Sequence, residues 1–556
     1  MEFTVDQALT MTEKYGTYEC RKFREHIFSS HENLNFSLAS HYVRIAESQG
    51  YVEANRALGK LHKLLTLGKN FQGLYIDSPI EQVKQFAKCR SLQILAIFEG
   101  CKKRYEAGYA LKRVIKILDD CDLKLPLKDP ANSTEEEIAS AMARCCDPVW
   151  WRRQILNRQS QMLEFVNIIL GKVNIKEGIY ASDSCVKRKL SQWERNRQLL
   201  AGLEAENELG QVFTLLELAE RGVSNLVNRR NELMTRMRGF EEYAKEQGDV
   251  AVFYTLTAPS KYHSFWSKPC IPNPKFKDFN PSDTQQYFNK VFSRIRSRLA
   301  RQGIQPYGFR MVEPHHDGTP HWHILFFMKQ HQVAQVNEAI KRYCLEEDGN
   351  EKGAQEHRVK IELIDYTKGS ATGYIAKYIS KNIDGQGVGE DSYGFDAVTS
   401  AVRVRAWAST WNIRQFQQIG GPSVTAWREA RRFATQDNAA DILATIGSEK
   451  LEALIAAINE SDWKGYIEQS GGATAPRKEQ PLRAFHVLKE SLNKYGETAK
   501  KILGIMFGDV VELVTRIHIW AVRPKALTQE TSHYGFCSSI RGANAPPWSS
   551  VNNCTQ

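Results

Sequence analysis

The sequence predicts an α+β protein, with a central antiparallel sheet flanked by mainly α-helical N- and C-terminal regions. Three observations carry this prediction. Apolar positions recur at three and four through roughly the first 245 residues, with few β-branched runs, which is a helical pattern. At Ala251 the period changes to two, with Val252, Tyr254 and Leu256 alternating with Phe253, Thr255 and Thr257. From there to Lys381 the patterns follow one another as β-α-β-β-α-β plus a closing helix. That order is the split ferredoxin-like arrangement, a four-stranded antiparallel sheet with helices on one face.

Each element has its own signal. In the N-terminal part, Leu125-Pro126-Leu127-Lys128-Asp129-Pro130 breaks the helical pattern, and Ser133-Thr134-Glu135-Glu136 restarts it with a capping box. Long helical patterns dominate from Lys187 to Gly248. After the first strand and a Pro-rich loop, Ser282 or Asp283 caps a helix. Tyr287, Phe288, Val291, Phe292, Ile295 and Leu299 form its apolar stripe, Arg294, Arg298 and Arg301 decorate it, and Gly303 ends it. Tyr307 to Glu313 and His321 to Met328 are two strands around Asp317-Gly318, hence a hairpin. A helix runs through Val333, Val336, Ile340 and Tyr343. His357 to Ile364 is a fourth strand alternating Val359, Ile361 and Leu363, and Ala371 to Lys381 is the closing helix. Beyond lie a Gly-rich loop, Gly385 to Gly394, and a basic aromatic stretch, Arg403 to Phe433. Ser470 to Pro476 is predicted as a linker, helices return from Arg483, and Val510 to Val522 is a strand or a buried helix.

With 556 residues the chain should form about three or four domains. The predicted divisions are 1–130 and 131–248, both helical, then 249–435 for the sheet domain with its basic extension, 436–525 as a mainly helical region, and 526–556 as a loose tail. With 42% hydrophobic and 25% charged residues, wholesale disorder is excluded. No run approaches the roughly 18 apolar residues of a membrane span, and the start has no secretory pattern. Eleven cysteines lie scattered without a Cys-x-x-Cys framework, which suits a reducing cytosol. The net charge is +11, and between Ala251 and Arg310 ten Lys or Arg face only Asp278 and Asp283. Such a concentration attracts a polyanion, although a solvated helix face reads the same way.

His321-Trp322-His323 opens a strand, so both imidazoles point to one face with Cα atoms about 6.6 Å apart, close enough to share a metal. A three-residue loop, His316-Asp317-Gly318, sets Glu313 directly opposite His321, whereas a two-residue loop would oppose it to Trp322. In the three-residue register, two nitrogens and one carboxylate converge and leave positions open for water and substrate. The set suits Mg or Mn, and would also accept Zn. A bare His-x-His is more often two surface residues on a strand edge, so Glu313 in register is what singles this pair out. His315 and His316 read as loop residues or substrate contacts. On the closing helix Tyr374 and Tyr378 share a face at i and i+4, each trailed by a lysine, Lys377 and Lys381. A phenol attacks phosphorus once its proton is lost and the phosphate charge is offset, which a metal and an ammonium supply. Taken alone, two core tyrosines on an amphipathic helix would explain the pattern as well.

Together these residues resemble the HUH endonuclease superfamily in its two-tyrosine form, and most closely the replication gene A proteins of temperate tailed phages. Three blocks carry the resemblance: Thr255 to His263, Glu313 to His323, and Gly373 to Asn382. Ile413-Arg414-Gln415-Phe416 through Trp427-Arg428 extends it. The resemblance implies a cycle of single-strand nicking and rejoining at a phage origin in the cytoplasm of the bacterial host. Glu313, His321 and His323 hold a divalent metal, Mg2+ or Mn2+. Tyr374 or Tyr378 attacks and forms a 5′-phosphotyrosine link, freeing a 3′-hydroxyl that a host DNA polymerase extends. Lys377 and Lys381 contact phosphate or balance phenolate charge. The DNA, single-stranded or supercoiled origin DNA, is assigned to Lys261, His263, Arg294, Arg298, Arg403, Arg405 and Arg414. No Gly-x4-Gly-Lys-Ser/Thr loop occurs, so unwinding requires a host helicase. A two-tyrosine rolling-circle transposase would share the chemistry, but those usually add a zinc-binding segment or a fused helicase. In conjugative relaxases the tyrosine precedes the histidines. A non-catalytic nucleic-acid-binding module is the alternative from another class, because a ferredoxin-like sheet is also an RNA-binding platform. Trp150-Trp151-Arg152-Arg153 reads as helix core with a basic rim in preference to a base-stacking surface.

Overall fold

The structure is a computed structural model that describes residues 3–66, 74–76, 78–100, 104–127, 129–130, 132–391 and 393–525. The tail predicted at 526–556 lies outside the described residues.

Helices fill the N-terminal part, as the apolar spacing predicts. Leu9, Phe28, Tyr42, Leu58 and Leu65 gather in one core, and Val83, Ile94, Val114 and Cys145 in a second. The helix Pro148–Ile169 serves both, lending Trp151 and Ile155 to the second and Val166 to the first. The predicted break falls between the helices Arg104–Asp120 and Glu135–Cys145. The cap sits one residue later than expected: the Thr134 hydroxyl accepts from the Glu137 amide, and the Glu137 carboxylate accepts from the Thr134 amide. Ser-Thr-Glu-Glu-Glu offers two overlapping capping boxes, and Ser133 is engaged by the Asp129 carbonyl. The helical run predicted from Lys187 to Gly248 is interrupted by a hairpin of Leu203–Asn207 with Val212–Thr214. Asn207 makes that turn, its Oδ1 accepting from the amides of Leu209 and Gln211.

The helix α1, Leu226–Glu246, leads into the central sheet. Its strands are β1 (Val250–Leu256), β2 (Tyr307–Pro314), β3 (Pro320–Met328), β4 (Val359–Leu363) and β5 (Phe416–Ile419). The helix α2 (Pro281–Arg301) joins β1 to β2, and α3 (Val333–Leu345) leads from β3 towards β4. After β4 come α4 (Ala371–Ile383), α5 (Ala397–Trp411) and, beyond β5, α6 (Val424–Ala434). The predicted order of elements is present, and the spatial order is β4-β1-β3-β2-β5 with every pairing antiparallel. The fifth strand, in the stretch read only as basic and aromatic, adds itself to the free edge of β2. Asn280 and not Ser282 or Asp283 caps α2; it accepts from both their amides, and Pro281 stands at the first helical position.

Helices cover both faces, not one. On one face Val252, Tyr254, Trp322, Ile324 and Phe326 pack against α2 and α3. On the other, Phe253, Phe309, Leu325 and Phe327 pack against α1, α4 and α6. The physical reason is in β3 itself: His321 to Met328 is apolar at nearly every position, as in a strand buried on both sides. Trp322 lies at the centre of the first face, stacked on Phe288 and donating its Nε1 to Gln285 at 3.0 Å. Trp322→Ala should therefore cost about 3–5 kcal/mol of stability, read by denaturant melting.

The C-terminal region departs further from expectation. Helices Ala439–Ile446, Glu449–Asn459 and Trp463–Gln469 are present, but strands and not helices follow. Leu482–Leu492, Thr498–Phe507 and Val511–Val514 form a three-stranded meander, and Trp520–Pro524 joins the hairpin at Leu203–Asn207. The turn signal is Asn493, whose Oδ1 accepts from the amides of Tyr495 and Glu497, with Gly496 at φ +76°. Nor is Ser470 to Pro476 a free linker, since Ala473 is buried and its carbonyl accepts from Gly421 at 2.6 Å. Among the described residues, no helix is long and apolar enough to cross a membrane.

The tip of the meander's first turn clamps the N-terminal helices. Glu497 accepts from Arg144 and from Ser140, each at 2.6 Å, and Asp147 accepts from Lys494 and Tyr495. The Arg144 hydrogen bond holds the Glu497 carboxyl down at about 2. Because the folded value lies below the unfolded one, the clamp's contribution is complete above about pH 4.5 and is lost as pH falls towards 2. Protection of the amides at residues 493–497, corrected for the intrinsic exchange rate, should fall across that window, and Glu497→Gln should shrink that fall to the share carried by Asp147.

Candidate active site: two histidines, a glutamate and two tyrosines

The β2–β3 hairpin has the three-residue loop. Glu313 stands opposite His321, His315 accepts from Gly318 and donates to Thr319 through its backbone, and Gly318 takes φ +80°. Asp317 ties the turn down: its Oδ1 accepts from the Thr319 amide, and its Oδ2 from the Ser264 amide and from His263 Nδ1. Burial pushes the Asp317 carboxyl up, but His263 and the two loop histidines outweigh it and hold it well below the usual range.

His321 and His323 point to the face covered by α4, their ring centroids 4.7 Å apart. Thr255 Oγ1 lies 3.1 Å from His323 Nδ1, and His323 Nε2 lies 2.9 Å from Glu313 Oε1. The Thr257 hydroxyl lies 3.4 Å from His321 Nδ1. Each imidazole is thus braced at Nδ1 by a hydroxyl of β1 or its extension, the kind of support that orients metal-binding histidines. Burial, with His315 and His323 beside it, holds His321 well below its ordinary value and so in the neutral form that can donate a lone pair. Glu313 Oε2 accepts from Asn382 at 3.1 Å and lies 3.5 Å from Lys381 Nζ. Burial raises this carboxyl, while Lys381 and the histidines draw it well below the usual carboxylate range.

The helix α4 is pinned at both ends. At its start Ser370 caps the Gly373 amide while Glu241 of α1 accepts from Ala371 and Thr372, and at its end Asp384 pairs with Arg230 at 2.6 Å. It crosses the strands: Tyr374 lies over Phe253 and reaches Glu362 on β4, Tyr378 lies over Phe253 and His323, and Asn382 reaches Glu313 on β2. The two phenol rings are 6.3 Å apart, Tyr374 exposed and Tyr378 half-buried. Burial and then the Glu362 contact raise the Tyr374 phenol, and burial with Glu313 and Glu362 pushes Tyr378 up to about 12. Both are protonated at neutral pH, so either needs a proton acceptor to become a nucleophile.

The two lysines diverge. Lys381 is buried beside Glu313, whereas Lys377 is exposed at the rim of a cavity of about 410 Å³ with Ser380 and Gly387. His315, expected as a loop residue or substrate contact, is half-buried with its ring 4.2 Å from that of His321. Lys261 pairs with Glu347 and Asp348, and His263 with Asp317. Arg294 and Arg298 lie on α2, across the sheet from the tyrosines, paired with Glu346 and Glu338 on or beside α3. Arg403 is engaged by the Ile179 and Ala181 carbonyls and by Asp183. Arg405 stacks over Trp193, and Arg414 is exposed with its Nε donating to the Phe416 carbonyl. Thr255, Thr257, Asn382 and Glu362 join the site without having been singled out for it.

Among the described residues no three His, Cys, Asp or Glu side chains form a ready-made metal cage. The donor chemistry nevertheless fits a divalent ion: two imidazoles braced at Nδ1 and one anionic carboxylate share a sheet face, and His323 Nε2 already meets that carboxylate. Glu313 would exchange its bond to His323 for the ion.

A sheet face carrying paired histidines beneath a helix carrying paired tyrosines defines the class of site, and comparison with known proteins places the chain. It belongs to the bacteriophage replication gene A protein family, whose model matches residues 81–386. It is 41% identical over 430 residues to the replication gene A protein of Escherichia phage 186, covering 76% of this chain and 60% of that one. To the replication protein of Haemophilus phage HP1 it is 37% identical over 463 residues, covering 81% and 57%. A probable replication endonuclease from a prophage-like region of Salmonella paratyphi A is 33% identical over 433 residues, covering 75% and 54%. The chain thus spans between half and two thirds of the length of these relatives. No solved structure matches it.

Proposed function

We propose that the chain is a site-specific single-strand DNA endonuclease and strand transferase that initiates rolling-circle replication at a phage origin, its central sheet being a ferredoxin-like HUH nuclease domain. The observation that carries this is the stacking of α4 on the sheet, which sets Tyr378 over His323 with Glu313 and His321 alongside. Relatives named as replication endonucleases support it.

Glu313, His321 and His323 would hold Mg2+ or Mn2+, which when bound offsets the charge of the scissile phosphate and polarises it. Thr255 and Thr257 keep the imidazoles turned to that position, and Asn382 and Lys381 steady the carboxylate. One tyrosine oxygen attacks phosphorus in line, its proton leaves, and the P–O3′ bond breaks, giving a 5′-phosphotyrosine and a 3′-hydroxyl. A host polymerase extends that end while a host helicase unwinds ahead. The second tyrosine then cuts the regenerated origin, and the new 3′-hydroxyl attacks the first phosphotyrosine to close a circle. Arg414, exposed two residues before β5, supplies a phosphate contact there, and Arg405 on α5 a second. The work takes place in the cytoplasm of the bacterial host.

The test is to incubate the protein with Mg2+ or Mn2+ and single-stranded segments of its own genome, then separate covalent adducts on a denaturing gel. One segment should yield an adduct together with a 3′ end that a polymerase extends. Tight binding to every segment without adduct would overturn the nuclease reading in favour of a binding module.

A further inference from the structure

The two tyrosines share a helix face but not an environment. Tyr378 has its ring 4.5 Å from that of His323. Tyr374, one turn earlier, donates its hydroxyl to Glu362 Oε2. Register fixes this neighbour: Glu362 pairs with Phe253 across β4 and β1, so its side chain emerges on the face that α4 crosses. Lys360, two residues before on the same face, lies 2.6 Å from Glu362 Oε1. One oxygen of the carboxylate is therefore held by an ammonium while the other is aimed at the phenol. Burial raises this carboxyl, but Lys360 and Tyr374 together draw it below its ordinary value, so it is an anion at neutral pH, able to accept a proton.

We propose that Glu362 is the general base, and in the reverse step the general acid, for Tyr374; this role rests on the nicking reading above. As the Tyr374 oxygen bonds to phosphorus, its proton passes to Glu362 Oε2 and the P–O3′ bond breaks, with the departing 3′ oxygen taking a proton from solvent. When a 3′-hydroxyl later attacks the Tyr374 phosphodiester, that hydroxyl's proton goes to solvent, and Glu362, reprotonated from solvent, passes a proton to the departing phenol. A carboxylate plays the same part for the attacking hydroxyl in other phosphoryl transfers. Transfer to a positioned base is worth about a hundred-fold or more in rate. It also supplies Tyr374 with the proton acceptor that both raised phenols need.

The test compares adduct formation in two backgrounds, Tyr378→Phe, which leaves Tyr374, and Tyr374→Phe, which leaves Tyr378, each with and without Glu362→Gln. The substitution should slow the Tyr374 reaction by about a hundred-fold more than the Tyr378 reaction. Glu362→Asp, which keeps the charge and draws it back by one methylene, should give a smaller loss with the same selectivity, and carries the comparison if the Gln variant melts early in both backgrounds. Equal slowing through both tyrosines, or none through Tyr374, would overturn the role of Glu362. Failure of the nicking reading is distinct, because the wild type would then form no adduct at all.

Discussion

Replacing both Tyr374 and Tyr378 with Phe should abolish the covalent protein–DNA adduct, a loss of at least roughly 10⁴-fold, while binding of the same strand persists. The substitutions remove only the two hydroxyls. Both rings keep their contacts with Phe253, and Tyr378→Phe keeps the packing on His323, so the helix stays seated. The folding cost is confined to the bond from Tyr374 to Glu362, about 1 kcal/mol or less at this exposed position. Each single variant should still form an adduct through the remaining phenol but lose the second transfer, visible as linear product accumulating without circles. Adduct surviving in the double variant, with another residue recovered on the labelled DNA by peptide mapping, would remove the tyrosines from the chemistry.

Glu313→Gln and His323→Ala should each lower metal-supported nicking by about 10³-fold, the several kcal/mol expected of an ion that neutralises charge at phosphorus. Chelation with EDTA should abolish it, and Mn2+ should restore it. The two variants differ in what else they disturb. Glutamine keeps the volume of Glu313 and an oxygen for the Asn382 amide, but it turns an NH2 group towards His323 Nε2 and removes the charge facing buried Lys381, so the melting temperature should fall. Alanine at 323 leaves a space between Phe253 and Tyr378 and should cost about 1–3 kcal/mol besides. Nicking as fast in EDTA as in Mg2+ would exclude the ion, whatever the variants did.

Much of the site was legible because it is local. The three-residue loop with Gly318 sets Glu313 against His321 by turn geometry alone, and a helix of 3.6 residues per turn puts Tyr374 and Tyr378 on one face. What escaped depends on partners far away in sequence. Counting charge along the chain from Ala251 to Arg310 shows a basic excess, but the glutamates that answer Arg294 and Arg298 lie forty to fifty-two residues further on. Lys360 and Glu362 fall between the apolar positions of β4 and look like its solvent side, yet the pairing with β1 turns them towards α4. The strands from Leu482 to Phe507 read as helix in the sequence because their apolar faces are thin: Leu488 and Leu492 are exposed, and the pattern of two is broken by irregular pairing at Phe485/His486 and Leu488/Leu492.

The strand Trp520–Pro524 completes a sheet begun at Leu203–Asn207, about three hundred residues earlier. At a ribosomal rate of about 5–20 residues per second, the earlier strand would wait roughly 15 to 60 s after synthesis for its neighbour. Throughout that interval one edge of Leu203–Asn207 offers unsatisfied amides and carbonyls to any passing strand. The N-terminal helices can settle while the central sheet is still emerging, but their attached hairpin waits for residues 520–524. Nascent chains stalled before residue 520 should therefore be more prone to cleavage around 203–214, and to self-association, than chains stalled after residue 525 has cleared the exit tunnel.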